Sequence, residues 1–203
     1  ECYDDVALNN ITFPGYRCIE SARKPDEKGR TYGGIAVIHR DTLSAKPHAL
    51  GFMPTTSEIT ATMFSSLKTN FIFVVIYRPG SDPVSDLFFT EFEGIFEALA
   101  TYNYQVIITG DLNVKVNISN DPHSIRLLNL IRSFGFIQSV VGPTHTLGNT
   151  LDLVITRSDL PRPSIVVDLP QVSDQSLVRF QIPVRHPPPR LIDINTRAWK
   201  SFD

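Results

Sequence analysis

Two short polar segments carry the residues of this chain that are best suited to chemistry. The apolar run 105–109 leads into Asp111 and Asn113, and some sixty residues later an acidic turn holds Asp174 and Gln175. A carboxylate and a carboxamide two residues apart at a strand end can point the same way. The carboxylate could then hold a water while the amide donates to a phosphoryl oxygen. Together the two segments predict a metal-assisted phosphodiesterase site.

Taken alone, Gly-Asp-Leu-Asn is also ordinary turn chemistry at the end of a strand. Further motifs favour the catalytic interpretation, because they follow one another in a fixed order at 33–39, 75–79, 142–156 and 173–178. In this order they resemble the endonuclease/exonuclease/phosphatase superfamily. The closest likeness is to the apurinic-type endonuclease domain of LINE-type non-LTR retrotransposons, whose members carry a similar Gly-Pro-Thr-His segment leading into Leu-Asp-Leu-Val-Ile-Thr. The resemblance covers roughly residues 16–183.

The resemblance assigns roles to five residues. Asp111 matches the acid that orients or deprotonates the attacking water, and Asn113 matches the amide that donates to the scissile phosphate. Asp174 stands where these proteins place a carboxylate that binds Mg²⁺ or Mn²⁺. Tyr77 matches a tyrosine that helps to hold the phosphate, although a tyrosine that closes an apolar strand is often a core residue. Asp152, a lone carboxylate in an apolar strand, matches the acid that orients a catalytic histidine.

That histidine is replaced, because Gln175 stands where the motif has the histidine of Ser-Asp-His. A glutamine can donate a hydrogen bond, but it cannot carry a proton or a positive charge. We therefore expect any activity to be impaired, and we expect Gln175 to lie within hydrogen-bonding reach of Asp152. Related endonucleases form a DNA-side hairpin from the segment that holds Thr144, His145 and Asn149, which makes these residues candidate DNA contacts.

Composition fits one globular domain, with 203 residues, of which 42% are hydrophobic. The net charge of −2 is unusual for a DNA-binding protein, so contact with the phosphate backbone would depend on local basic clusters at 17–30 and 185–200. These clusters could equally be solvated charge. No apolar run approaches the roughly 18 residues of a membrane span, so no membrane role is expected. The two cysteines favour a reducing compartment, and the resemblance implies an intracellular, nuclear protein.

Hydrophobic periodicity predicts a mixture of strands and helices. Strands are expected at 34–39, 59–65, 71–77, 105–109, 136–140, 151–156, 164–168 and 177–182. One helix is expected to start at Asp82 and run to residue 100 with Leu87 in its apolar stripe, and a second to start at Asp121 with Ile125 in its stripe. The pattern by itself indicates mixed α/β. The resemblance implies a four-layered α/β sandwich, DNase I-like, in which two packed mixed sheets are flanked by helices.

The predicted domain covers residues 1–184 and is followed by a connector at 185–203, where a Pro-rich segment interrupts regular structure. The resemblance also implies a first strand with an asparagine and a Glu-Thr-Trp segment with a metal-binding glutamate. Both are expected before residue 1, so the chain is interpreted as amino-terminally truncated. In retrotransposon polyproteins a reverse transcriptase region follows, and it is missing here.

Three functions remain open from the sequence. The first is a retrotransposon endonuclease domain that nicks DNA with Mg²⁺ or Mn²⁺. The second is a catalytically inactive, truncated remnant of the same fold, which Gln175 favours. The third is a module that binds phosphate or nucleic acid without turnover. A phosphatase of the same superfamily is a further alternative, against which the segment 142–156 speaks.

Overall fold

The computed structural model describes residues 13–22, 34–65, 69–170 and 173–183, so the predicted connector at 185–203 lies outside it. The described part contains ten strands and two helices. The strands are β1 Tyr16–Ala22, β2 Gly34–Arg40, β3 Ser44–Pro47, β4 Glu58–Ser65, β5 Asn70–Tyr77, β6 Gln105–Asp111, β7 Phe136–Gln138, β8 Asp152–Arg157, β9 Ser164–Asp168 and β10 Leu177–Gln181. The helices are α1 Asp86–Ala100, between β5 and β6, and α2 Pro122–Ser133, between β6 and β7.

A six-stranded mixed sheet forms the centre of the fold, with strand order β3-β4-β5-β6-β8-β7. Only β5 and β6 pair in parallel among these neighbours, and α1 connects them. A helical crossover is the usual connection between parallel strands, because such strands cannot be joined by a tight turn. The expected mixed α/β architecture is confirmed.

Helix α1 packs on one face of this sheet through four phenylalanines, Phe88, Phe89, Phe92 and Phe96, all at most 2% exposed. They meet apolar strand residues such as Ile72, Val74, Ile76, Val106 and Ile108 in a single core. Burial of side chains of this size is the main stabilising contribution to a domain, at about 25 cal/mol per Å² of apolar surface. Helix α2 adds Leu127 and Ile131 to the same core.

The helix boundaries and stripes correct two sequence-based expectations. Helix α1 begins later than the expected start at Asp82, because the Ser85 side chain accepts a hydrogen bond from Phe88 N at 3.2 Å and caps it. This phase turns Leu87 to solvent. In α2, capped by Asp121 as expected, Ile125 is likewise exposed.

The opposite face of the central sheet is covered by the antiparallel pair β1–β2, which contacts β4 and β5. Ile35 and Val37 are buried there, and the His39 ring meets the Phe64 ring edge-on at 5.5 Å between centroids. Strands β9 and β10 form a further antiparallel pair. The described residues thus show helices on one side of the sheet and strands on the other. None of the helices in this part of the chain is long and apolar enough to cross a membrane.

Strand β6 approaches β5 most closely at Gly110. Its φ of +135° suits glycine, and a Cβ built there would lie 1.9 Å from the backbone oxygen of Ile76. No side chain of neighbours can relieve a clash with backbone. The glycine therefore allows the ends of β5 and β6, with the residues that follow them, to come together at one edge of the sheet.

Gly110→Ala should destabilise the domain by more than about 3 kcal/mol, since it adds a backbone clash to the conformational strain. Gly135→Ala is the matched control, because Gly135 also has a positive φ of +74° but nothing lies within 4 Å of its Cβ position. We expect the control to lose only about 1 kcal/mol. Urea denaturation of the three proteins measures both values. Equal losses for the two substitutions would contradict the close approach.

Candidate active site

The polar residues at the strand ends meet at one edge of the central sheet. Asp111 at the end of β6 pairs directly with Asp152 at the start of β8. Tyr77 ends β5 two residues beyond the last aligned pair of β5 and β6, level with Asp111, and it pairs across to Glu58. Side chains paired across adjacent strands emerge on the same face of a sheet. The fold thus brings four residues that are distant in sequence into one row.

The turn that follows Asp111 is held by Arg78, whose side chain is only 3% exposed. Its guanidinium donates to the backbone oxygens of Leu112 at 2.7 Å, Asn113 at 2.8 Å, Pro79 at 3.1 Å and Asp82 at 2.7 Å. The backbone N–H of Arg78 also donates to the oxygen of Asp111 at 2.9 Å. The planar guanidinium suits such a set of acceptors, and it fixes the turn from behind.

Asn113 takes a left-handed conformation with φ of 49°, and the surrounding contacts explain why it persists. Its backbone N–H donates to Asp111 Oδ1 at 2.8 Å, and its Nδ2 donates to the backbone oxygen of Arg78 at 2.8 Å. Gly80 leaves the space for this amide, because a Cβ there would lie 2.8 Å from Asn113 Oδ1. An amide nitrogen carries two hydrogens, so one N–H remains to meet a ligand.

Gln175 lies between the two paired carboxyls. When its Nε2 faces Asp152, it donates to Asp152 Oδ2 and to the backbone oxygen of Thr144, both at 3.2 Å. In the reverse orientation it makes one bond of 3.3 Å to Asp111 Oδ2 and turns its oxygen towards two acceptors. The first orientation satisfies more groups and is preferred on that ground. Gln175 is thus within reach of Asp152, as expected.

Burial dominates the electrostatics of the carboxyl pair. It raises the pKa of Asp111 to about 6, against which the hydrogen bond from Asn113 N–H acts, while the Asp152 carboxylate adds to the rise and Arg78 and His145 oppose it. Burial also raises the pKa of Asp152, opposed by Thr144 and His145. In the preferred orientation of Gln175, its oxygen lies 3.3 Å from Asp111 Oδ2. A protonated Asp111 could donate across that gap.

The segment 142–150 forms a loop beside these carboxyls. Thr144 is fully buried, and its Oγ1 accepts from the N–H groups of Leu151 at 2.9 Å and Asp152 at 3.1 Å. The backbone oxygen of Asn149 accepts from Thr144 N and His145 N and closes the loop. Thr144 was expected to contact DNA, but its buried side chain has no surface for that purpose and instead anchors the start of β8.

His145 and Asp174 form an ion-pair contact at the mouth of the site, 3.1 Å between Nε2 and Oδ2. His145 also pairs with Gln175 in an isolated antiparallel bridge, and the backbone N–H of Thr146 donates to the oxygen of Asp174 at 2.9 Å. The structure therefore connects Asp111, Asn113, Asp152, Asp174 and Gln175 through one set of neighbouring contacts. This agrees with the expectation that they line a common cleft.

Comparisons with known proteins put this arrangement in context. No protein-family model and no curated protein matches the chain. Among solved structures, the endonuclease domain of TRAS1, a telomere-specific non-LTR retrotransposon, matches with a TM-score of 0.62 and 18% identity over 84% of this chain and 79% of that one. The chain has the endonuclease/exonuclease/phosphatase fold.

Other structures with this fold act in different chemical settings. The 3′ phosphatase NExo from Neisseria, bound to a product DNA hairpin, matches with a TM-score of 0.54 and 18% identity over 90% of this chain and 84% of that one. The human Nocturnin catalytic domain with bound sulfate matches with a TM-score of 0.51 and 13% identity over 87% of this chain and 76% of that one. At these identities the likeness establishes the fold and leaves the reaction to be argued from the site.

The described residues do not by themselves complete a metal site. No group of three or more His, Cys, Asp or Glu side chains in the described part of the chain is arranged to hold a metal ion. Asp174, the expected metal ligand, faces His145 through Oδ2. Its side chain is 66% exposed, so it remains accessible as a single oxygen ligand. The residues described here thus supply at most part of a coordination shell.

Sequence reasoning missed the residues that support the site. Arg78 lies within the motif at 75–79, but only the structure shows that it binds the turn carbonyls. Gly80 carries no sequence signal beyond a turn preference. The contact between His145 and Asp174 joins residues 29 positions apart, and no local pattern reports such a pair.

The raised pKa of Asp111 predicts a specific dependence of stability on pH. The folded chain holds the Asp111 proton up to about pH 6, and the unfolded chain releases it near 3.8, so the free energy of unfolding should fall as pH rises between these values. Asp111→Asn keeps the acceptor for Asn113 N–H and removes the charge. We expect this variant to exceed the native chain in stability above about pH 6 and to converge with it below about pH 4.

Urea denaturation across this pH range provides the measurement, and Asp41→Asn, an exposed carboxyl away from the site, serves as the control. A native chain whose stability, relative to Asp111→Asn, does not change between about pH 4 and pH 7 would show that Asp111 is not desolvated.

Proposed function

We propose that this chain is the endonuclease domain of a non-LTR retrotransposon and hydrolyses DNA phosphodiester bonds with Mg²⁺ or Mn²⁺, at a rate reduced by Gln175. The observation that carries the proposal is the assembly of Asp111, Asn113 and Asp152 at one sheet edge around residue 175. The fold and the TRAS1 neighbour support it. The reverse transcriptase partner and a nuclear location belong to this proposal as well.

The side chains divide the work by chemical type. Asp111, with its pKa raised to about 6, can take a proton from an attacking water near neutral pH, since a base works best close to the ambient pH. The second N–H of Asn113 Nδ2 can donate to a phosphoryl oxygen from a position that Arg78 and Gly80 hold fixed. Tyr77 lies at the same edge and is proposed to contact the phosphate.

Gln175 weakens this arrangement in a defined way. A histidine between Asp111 and Asp152 would place a positive charge between two desolvated carboxyls, and it would supply a charged donor to the phosphate. The neutral amide bridges the carboxyls without compensating their charge. Loss of one charge-stabilising donor costs roughly 10²–10³ in rate, which is the basis for proposing slow rather than normal turnover.

Asp174 is proposed to bind the divalent cation from its exposed position. A cation held there would neutralise charge on the phosphate. The resemblance to retrotransposon endonucleases places a further glutamate ligand in a segment expected before residue 1.

Nicking of supercoiled plasmid, with Mg²⁺ or with EDTA, tests the proposal. We expect slow nicking by the native chain, an increase of up to about 10²–10³ for Gln175→His, and loss of activity for Asp111→Asn and Asp174→Ala in that background. Asp86→Ala is the control, because Asp86 is an exposed partner of Arg126 on helix α1. A folded Gln175→His protein that shows no Mg²⁺-dependent nicking would overturn the endonuclease function and leave the inactive remnant or a binding module.

A further inference from the structure

Residues 145 and 175 are direct neighbours across an antiparallel bridge. Side chains at such paired positions leave the same face of the backbone, with Cβ atoms about 4.5–5.5 Å apart. Gln175 reaches Asp111 and Asp152 from its side of the bridge. His145 therefore places an imidazole directly beside the position where the resemblance expects one.

The hydrogen bonds of His145 define the state of its ring. Nδ1 accepts from the backbone N–H of Leu147 at 3.1 Å, so the ring proton lies on Nε2. Nε2 in turn donates to Asp174 Oδ2 at 3.1 Å. The imidazole side chain is only 14% exposed. A carboxylate and a backbone group thus orient the ring, with its donor facing the mouth of the site.

We propose that His145 supplies the imidazole N–H donor to the phosphoryl oxygen that Gln175 cannot supply, and that Asp174 holds this donor until the phosphate replaces it. This inference rests on the proposed function and names a further phosphate-contacting residue of the same site. The imidazole has moved across one bridge, from position 175 to position 145, and its orienting carboxylate has moved from Asp152 to Asp174.

Two features make this exchange feasible. The Asp174 side chain is 66% exposed and can turn into solvent without leaving a buried charge, so its hydrogen bond is weakly held. The loop that carries His145 is fixed at both ends, since Thr144 is buried and Ser176 N donates to the Thr144 oxygen at 2.8 Å. The imidazole is also near both buried carboxyls, because its charge acts on Asp111 and on Asp152.

His145 also has a purely structural contact, and two substitutions separate it from the proposed donor. In His145→Asn the amide can occupy the place of Nδ1, so the acceptor for Leu147 N–H is kept while the Nε2 donor is removed. In His145→Gln the amide can reach the place of Nε2, so a donor is kept while the loop contact is lost. A donor role predicts damage from the first substitution, and a loop role predicts damage from the second.

The experiment measures the affinity of each protein for a short DNA duplex in EDTA, together with its melting temperature. We expect His145→Asn to weaken binding roughly 3- to 10-fold, the equivalent of one net hydrogen bond, without lowering the melting temperature. Adding Gln175→His to His145→Asn should restore the native affinity to within about 2-fold, because either position serves the same space. His145→Gln should keep most of the affinity with a lower melting temperature. His123→Asn, at the exposed start of helix α2, is the matched control and should change neither value.

Native affinity in His145→Asn would overturn the inference. A loss that Gln175→His does not restore would overturn it too, since the imidazole would then not be interchangeable between the two positions. If His145→Asn fails to fold, weak binding by well-folded His145→Gln contradicts the donor role, and retained binding supports it. Hydrolysis is not needed in EDTA, so the expected binding pattern without Mg²⁺-dependent nicking would contradict the proposed function alone. Absence of DNA binding by all of the proteins would overturn both.

Discussion

The desolvated pair of Asp111 and Asp152 is the constraint on which the rest of this site depends. The two carboxyls are opposite one another on adjacent strands, and burial raises the pKa of both. Such a pair is costly unless its neighbours donate hydrogen bonds or compensate its charge. Arg78 approaches from behind the turn, the Asn113 N–H approaches from within it, and the Gln175 amide lies between the carboxyls. Each of these contacts requires the close strand packing at Gly110.

Much of the fold was predictable because the central strands are long, apolar and bounded by turn residues. Strands β1 and β3 were missed because their exposed residues carry no hydrophobic pattern, and the expected strand at 136–140 ends at Gln138. The start of α1 was misplaced because Asp82-Pro83 resembles a helix start as strongly as Ser85, and only the hydrogen bond to Phe88 N distinguishes them. Local pattern thus identified the elements but not all of their ends.

The site divides in the same way. Asp111 and Asn113 announce themselves through a motif at a strand end, and the pairing of β6 with β8 puts Asp152 where the sequence predicted it. Arg78, by contrast, works through four backbone oxygens that no side-chain pattern encodes. The contact of His145 with Asp174 was equally invisible, because it depends on how a loop folds against a turn. A motif read by position alone therefore records the loss of a histidine at 175 and overlooks the one across the bridge.

Carbon-13 NMR titration of the aspartate side chains gives the most direct measurement of the desolvated pair. We expect the Asp111 carboxyl of the native chain to titrate with a pKa of about 6. In Gln175→His the same resonance should titrate at a lower pH, because an imidazolium between the carboxyls stabilises their ionised forms. An Asp111 resonance that titrates near 3.8 in the native chain, unaffected by the residue at 175, would contradict a buried carboxyl pair bridged by this side chain.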